Sequence, residues 1–236
     1  ATLCEQASLD GAYVPATRRL ADFRLLVMDM DSTLITIETI DELADLVGLK
    51  REVAAITEQA MRGEIEYNES LKRRVAVLQG LSEDALSRVY EERVRLTPGA
   101  DTLIAQAQAA GIKPLLVSGG FTYVTDRLKA KLKLDYTRSN CLEIVDGKLT
   151  GRIVGDIVNA DVKRDALIEI RDTLGIQREH IIGIGDGAND LKFMAECGVS
   201  IAYHAKPIVR GQTTYALNHV DLSGVLVLLN SDLSKT

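Results

Sequence analysis

Four short apolar runs, each leading into small or polar residues, stand out along the chain. They are Arg24–Asp29, Lys113–Ser118, Ile181–Asp186 and Gly198–Tyr203. Short continuous apolar runs are typical of strands that are buried on both faces, as in parallel sheets. Amphipathic helical patterns separate them at Asp101–Ala110, Thr122–Leu132 and Lys163–Leu174. This alternation of strands and helices predicts an α/β fold with a doubly wound sheet.

Two stretches depart from the alternation. Asp41–Arg95 has a helical pattern throughout and no convincing strand, which predicts a helical insertion between the first and second core strands. Asp146-Gly147 lies between two β-rich runs within Asn140–Gly155, and this dipeptide is a strong hairpin signal. The first 20 residues show no clear periodicity and are expected to form an irregular arm or linker.

Composition narrows the class of protein. The chain has 236 residues, 46% hydrophobic and 26% charged, which is typical of a globular protein and excludes a disordered chain. No apolar run approaches the ~18 residues that span a bilayer, so no membrane partner is expected. The net charge of −6 and the lack of a basic stripe disfavour nucleic acid as a partner. Three widely spaced cysteines, Cys4, Cys141 and Cys197, argue against a disulfide framework or zinc site and favour the reducing cytoplasm.

Polar clusters follow three of the predicted strands, at Asp29–Thr33, Ser118–Gly120 and Gly185–Asp190. The carboxyl ends of parallel strands meet in one crevice, where ligands bind. Clustered carboxylates repel one another unless a cation lies among them, and Mg²⁺ prefers such oxygen ligands. Glycine-rich turns let backbone N–H groups approach an anion, and Lys163 at the start of a helix is placed to neutralise a phosphate. These residues therefore predict a site for Mg²⁺ and phosphate.

These motifs resemble those of a known superfamily. Asp29–Thr33 resembles the DxDxT signature of the haloacid dehalogenase (HAD) superfamily of phosphatases. The second, third and fourth motifs of that superfamily are matched, in this order, by Ser118, Lys163 and Gly185–Asp190. Within the superfamily the chain is similar to the phosphoserine phosphatase family, through Asp29–Glu42, Met61, Tyr67–Leu78, Ser118–Phe121 and Gly185–Leu191. The resemblance implies a Rossmann-like core at 22–38 and 96–236, a small α-helical cap at 39–95 and an arm at 1–21. Tyr67 departs from the family pattern, which more often has Phe.

The resemblance also implies an activity, the Mg²⁺-dependent hydrolysis of O-phospho-L-serine to L-serine and phosphate. Asp29 is then the nucleophile that forms an aspartyl-phosphate, and Asp31 is the general acid and base. The expected metal ligands are the Asp29 and Asp186 carboxylates and the Asp31 main-chain carbonyl. Asn189 and Asp190 are expected to support this metal site or to orient water.

The same resemblance assigns substrate contacts. Ser118, the Gly119 amide and Lys163 are expected to hold the transferring phosphoryl oxygens, and Asn189 also to contact substrate. Glu38 is assigned to the substrate ammonium and Arg74 to its carboxylate, while Met61 and Tyr67 wall the pocket. The three histidines fit no triad or ligand spacing and receive no role.

Alternatives remain open from sequence. The motifs are also compatible with another small phosphomonoester as substrate, such as a phosphosugar or phosphohomoserine, and with a mutase. A non-enzymatic receiver domain also accepts phosphate on a strand-end aspartate, but it is a single domain of ~100–150 residues and has no use for the helical insertion. The expected partner is therefore a small phosphomonoester in the cytoplasm, and the sequence leaves the oligomeric state open.

Overall fold

The computed structural model describes residues 7–230, and a seven-stranded sheet forms its centre. The strands are β1 (Leu25–Met28), β2 (Lys113–Phe121), β3 (Tyr136–Val145), β4 (Lys148–Val154), β5 (Ile181–Gly185), β6 (Val199–Tyr203) and β7 (Tyr215–Leu217). Their order is β4-β3-β2-β1-β5-β6-β7, and every neighbouring pair is parallel except β3–β4. The prediction of a doubly wound α/β sheet is confirmed.

All four predicted strands are present, as β1, β2, β5 and β6. The second runs farther than predicted, because the chain stays extended through Gly120 and pairing with β3 resumes at Phe121, opposite Asn140. The predicted hairpin joins β3 to β4. Asp146 and Gly147 both have positive φ, +50° and +72°, which matches the twist that a two-residue hairpin needs.

The described residues contain ten α-helices. They are α1 (Thr39–Leu46), α2 (Lys50–Met61), α3 (Tyr67–Val77), α4 (Asp84–Arg88), α5 (Ala100–Ala109), α6 (Thr122–Leu132), α7 (Ala160–Leu174), α8 (Leu191–Met194), α9 (Pro207–Arg210) and α10 (Gly224–Leu228). Alternate residues of β1 face opposite sides, as a strand requires. Leu25 and Val27 pack with α7 and α8, whereas Leu26 and Met28 belong to the larger core with α5, α6 and α10. Helices therefore cover both faces of the sheet.

Helices α1 to α4 follow one another between the first two strands, in the stretch whose pattern predicts a helical insertion. The chain enters and leaves this part beside β1, where Ile35 bridges to Leu96. A second attachment lies at the β4 edge of the sheet. There the Gly80 amide donates to the Leu149 carbonyl (2.8 Å), and the Leu149 amide donates to the Leu81 carbonyl (2.8 Å). The loop after α3 is thus hydrogen-bonded to the hairpin.

The described part of the N-terminal segment packs on the β7 side of the sheet. The Asp10 carboxylate accepts hydrogen bonds from the backbone amides of Asn218, His219 and Val220, and Leu20 is buried in the larger core. Cys141 and Cys197 are free thiols, and Cys4 lies outside the described residues. Within residues 7–230, no helix is both long and apolar enough to cross a membrane.

Candidate active site

A wide turn directly after β1 sets the positions of two aspartates. The Ile35 amide donates to the Met30 carbonyl (3.0 Å), which closes the turn, and Ser32 inside it has a positive φ of +55°. At the start of the turn, the Asp29 carboxylate accepts from the Met30 amide (2.7 Å). Asp29 and Asp31 both line a cavity of about 560 Å³ at the carboxyl ends of the central strands.

Three carboxylates meet at the base of this cavity. Ligand oxygens of Asp29, Asp186 and Asp190 lie within 4.8 Å of one another. The Lys163 ammonium, in the first turn of α7, is fully buried and lies 2.8 Å from oxygens of both Asp29 and Asp190. The other Asp190 oxygen accepts from the Gly187 amide (3.0 Å). Asp190 is therefore held behind the cavity, whereas Asp29 and Asp186 face it.

The crowding of these groups shifts their pKa values. Burial and the charge of Asp190 raise the pKa of Asp29 well above its usual value, and the same two causes raise the pKa of Asp186 to about 7. Burial opposes the charge of Lys163, but its carboxylate partners outweigh this and raise its pKa. Three carboxylates share one buried ammonium, so this corner attracts further positive charge. The oxygen donors and their spacing fit a hard divalent cation.

Asp31 has surroundings of its own. One carboxylate oxygen accepts from the Thr39 hydroxyl (2.5 Å) and from the Thr39 amide (3.3 Å) at the start of α1. Burial raises the pKa of Asp31 to about 7, and the charge of Glu38 contributes to the shift. A carboxyl group with a pKa near neutrality can both give and take a proton at physiological pH.

The end of β2 forms another wall. The Ser118 hydroxyl accepts from the Gly120 amide (2.8 Å) and is completely buried. A Cβ atom at Gly120 would lie 3.0 Å from both the Ser118 hydroxyl and an Asp31 oxygen. Gly120 thus allows the backbone to pass between these two groups. Ser118 stands directly behind the wall, and Gly119 lines it.

Helix α3 supplies the facing wall through residues on one of its sides. Tyr67, Ser70, Leu71 and Arg74 all line the cavity, at the i, i+3, i+4 and i+7 positions. The Tyr67 hydroxyl reaches the core, since a Cβ atom at Gly119 would overlap it. The Ser70 hydroxyl and the Arg74 Nε are buried and have no hydrogen-bond partner.

The remaining predicted residues complete the rim. Glu38 lines the cavity just before α1, and its carboxylate accepts from the Ser32 hydroxyl (2.6 Å). Met61 ends α2 and is 66% exposed, so it stands at the mouth. Asn189 also lines the cavity, in a single helical turn after β5.

The cavity thus brings the predicted site residues together, with Ser118, Lys163 and Asp190 directly behind its surface. Two contributions were missed from sequence. Ser70 is one, although its spacing from Tyr67 and Arg74 places it on their helical face. The other is the segment around His204, Lys206 and Ile208, which also lines the cavity and carries no motif.

Comparison with known proteins agrees with this geometry. Residues 23–198 match the family model of haloacid dehalogenase-like hydrolases. A phosphoserine phosphatase of Polaromonas sp. (strain JS666) is 54% identical over 216 residues, which cover 89% of this chain and 92% of the relative. The crystal structure of a probable phosphoserine phosphatase from Vibrio cholerae, unliganded, is 43% identical, with a TM-score of 0.87 over 97% of this chain and 71% of the other.

A substrate-bound phosphoserine phosphatase structure is also similar, with 35% identity and a TM-score of 0.82 over 88% of this chain and 98% of the other. These similarities extend over most of the chain. The family match, the level of identity and the shared fold lead to the same assignment. The chain belongs to the haloacid dehalogenase-like hydrolases and, within them, to the phosphoserine phosphatase family.

Proposed function

We propose that this chain hydrolyses O-phospho-L-serine to L-serine and phosphate with Mg²⁺ as cofactor, the last step of serine biosynthesis. One observation carries the proposal: a single cavity joins the Asp29 and Asp31 carboxyl groups of the core to Arg74 of the cap and to Glu38. The first pair suits phosphoryl chemistry, and the second suits the two charged groups of an amino acid. The names of the relatives support the same substrate. The free thiols of Cys141 and Cys197 support the cytoplasm as its location.

Mg²⁺ would be held by the Asp29 and Asp186 carboxylates and by the Asp31 main-chain carbonyl, with Asp190 and Asn189 in support. Bound there, the ion would offset the negative charge of the carboxylates and of the phosphoryl group. The carboxylate cluster at the base of the cavity favours this placement, because it has an excess of negative charge over the ammonium of Lys163.

Two half-reactions follow from the positions of the aspartates. An Asp29 oxygen bonds to phosphorus as the bond to the serine oxygen breaks, and Asp31 gives its proton to that oxygen. Asp31 then takes a proton from water, the water oxygen attacks phosphorus, and the Asp29 carboxylate is released. A pKa of about 7 equips Asp31 for both transfers. Lys163, 2.8 Å from Asp29, holds the nucleophile in place, and together with Ser118 and the Gly119 amide it would stabilise the phosphoryl oxygens.

Substrate choice would depend on the cap. The guanidinium of Arg74 suits the α-carboxylate, because two parallel N–H donors match two oxygens. The Glu38 carboxylate suits the α-ammonium. Met61 at the mouth and Tyr67 on the wall would limit the access of water to the phosphoryl group.

Phosphate release from O-phospho-L-serine and from p-nitrophenyl phosphate tests this function. Hydrogen bonds to charged groups contribute roughly 1.5–3 kcal/mol. Arg74→Ala should therefore lower kcat/KM for phosphoserine about tenfold to a hundredfold and barely change the value for p-nitrophenyl phosphate, which has no carboxylate. The matched control is Arg73→Ala, the neighbouring arginine, which is exposed and pairs with Glu69. Equal losses on both substrates would show that Arg74 serves the phosphate or the fold, and an inactive wild type on phosphoserine would reject the substrate.

A further inference from the structure

The cap wall holds a buried hydroxyl that nothing in the protein satisfies. Ser70 is 1% exposed, and its hydroxyl has no hydrogen-bond partner. Its backbone amide is used normally within the helix, with a 2.9 Å bond to the Glu66 carbonyl. Because a buried polar group without a partner is destabilising, such an atom beside a cavity indicates a partner that arrives with a ligand.

Arg74 presents a second atom of the same kind. Four buried side-chain polar atoms lack a partner among residues 7–230, and two of them, the Ser70 hydroxyl and Arg74 Nε, lie on this wall. Ser70 and Arg74 are four residues apart in α3, so their side chains are neighbours on one helical face. Two unpaired donors one turn apart, both facing one cavity, match a ligand group with two acceptor oxygens.

The charges around these donors identify the ligand group. Arg74 disfavours an ammonium beside Ser70 and favours an anion. Tyr67, at the other end of the same face, extends to Gly119 and so lies on the phosphoryl side of the cavity. The face therefore runs from the phosphoryl side at Tyr67, through Ser70, to Arg74.

We propose that the Ser70 hydroxyl donates a hydrogen bond to the α-carboxylate of the substrate, beside the Arg74 guanidinium, and so contributes to the choice of an amino-acid phosphoester. The proposal rests on the function proposed above and adds a second donor to its carboxylate site. Ser70 is a specificity-determining residue in this account, and its hydroxyl has no structural role in the unliganded protein.

The experiment compares O-phospho-L-serine with O-phosphoethanolamine, which keeps the ammonium and lacks the carboxylate. Ser70→Ala should lower kcat/KM for phosphoserine about tenfold, the low end for a hydrogen bond to a charged group, and should leave phosphoethanolamine within twofold. Ser70→Cys, with a weaker donor of similar size, should fall between. In an Arg74→Ala background, Ser70→Ala should lose much of its effect, because both donors act on one group.

Stability distinguishes this role from a structural one. Removing a buried hydroxyl that has no partner should leave the Tm of Ser70→Ala unchanged or raised. Thr97→Val is the matched control, since Thr97 is also buried with an unpaired hydroxyl but does not line this cavity. Thr97→Val should leave kcat/KM for both substrates unchanged.

Three results would overturn the proposal: equal losses on both substrates, no loss on phosphoserine, or a clear fall in the Tm of Ser70→Ala. A wild-type enzyme that hydrolyses other phosphoesters but not phosphoserine would instead reject the proposed function, and this inference with it. The wild-type substrate profile thus separates the two failures.

Discussion

At the scale of single residues, the Tyr67 hydroxyl of α3 lies directly against Gly119 of β2. A Cβ atom at Gly119 would overlap this hydroxyl, whereas the ring carbon that bears it would lie 3.6 Å away, an ordinary contact. A side chain at Gly119 would therefore have to displace the Tyr67 hydroxyl, an atom that a phenylalanine at this position would lack.

We expect Gly119→Ala to push Tyr67 away from the core and to lower kcat/KM for phosphoserine more than tenfold. Adding Tyr67→Phe should restore most of the loss, because the offending oxygen is gone. Steady-state kinetics of the two single variants and the double variant form a double-mutant cycle that measures this coupling. A double variant no better than Gly119→Ala alone would show that the glycine is needed for another reason.

At the scale of elements, sequence predicts best what depends on the local pattern. The four central strands follow from continuous apolar runs, and the hairpin follows from Asp146-Gly147. Strand β7 was not predicted, since three residues at a sheet edge give no periodicity. The wide turn after β1 was also missed, because it places Ser32, rather than a glycine, at positive φ.

The features of the site also divide into those that the local sequence pattern predicts and those that depend on tertiary packing. Motif order pointed to Lys163, but its complete burial between two aspartates could not be read from the sequence, because lysines are mostly exposed. The helical face shared by Tyr67, Ser70 and Arg74 can be read from their spacing. Whether Ser70 has a partner depends on tertiary packing, which no local pattern encodes.

The contact of α3 with the hairpin gives a prediction at this scale. A Cβ at Gly151 would lie 3.2 Å from the Ala76 Cα and 3.3 Å from its carbonyl oxygen, both backbone atoms of α3. Gly151→Ala should displace this helix and raise KM for phosphoserine several-fold. Gly155→Ala is the matched control, because Gly155 also has positive φ but has open space around it.

Both substitutions place alanine in a left-handed backbone conformation, which costs about 1–2 kcal/mol. Unfolding by denaturant should therefore show a similar loss of stability in each variant. Only Gly151→Ala should add the change in KM. If Gly155→Ala raised KM as much, backbone strain in β4 and its loop, and not the position of α3, would control substrate binding.

At the scale of the whole molecule, the carboxylate cluster contributes to the pH dependence of folding in the absence of metal. The pKa of Asp186 is about 7 in the folded protein against 3.8 for a free side chain. Between these values the folded state binds more protons than the unfolded state. The contribution of Asp186 to the free energy of unfolding therefore falls as pH rises from about 4 to 7. The raised pKa values of Asp29 and Asp31 act in the same direction.

Asp186→Asn removes one of these charges, so at pH 8 in chelator the variant should be more stable than the wild type by at least about 1 kcal/mol. At pH 4 the two should be alike, because Asp186 is then protonated in the folded protein. Thermal unfolding across this pH range, with chelator or with Mg²⁺, is the measurement. Saturating Mg²⁺ should stabilise the wild type more than the variant. Lower stability of the variant at pH 8 in chelator would contradict this account.

The double attachment of the cap has a consequence for how substrates are sorted. A cap joined to the core only beside β1 could rotate about that junction. Here the loop after α3 is also hydrogen-bonded to the hairpin at the far edge of the sheet. Helix α3, which would bind the substrate carboxylate through Arg74, is thus anchored, whereas no backbone hydrogen bond within residues 7–230 ties α2, with Met61 at the mouth, to the hairpin. We therefore expect Arg74 to be in position before the substrate arrives. Phosphoesters other than the substrate should then be rejected through weak binding, seen as a raised KM, rather than through slow turnover.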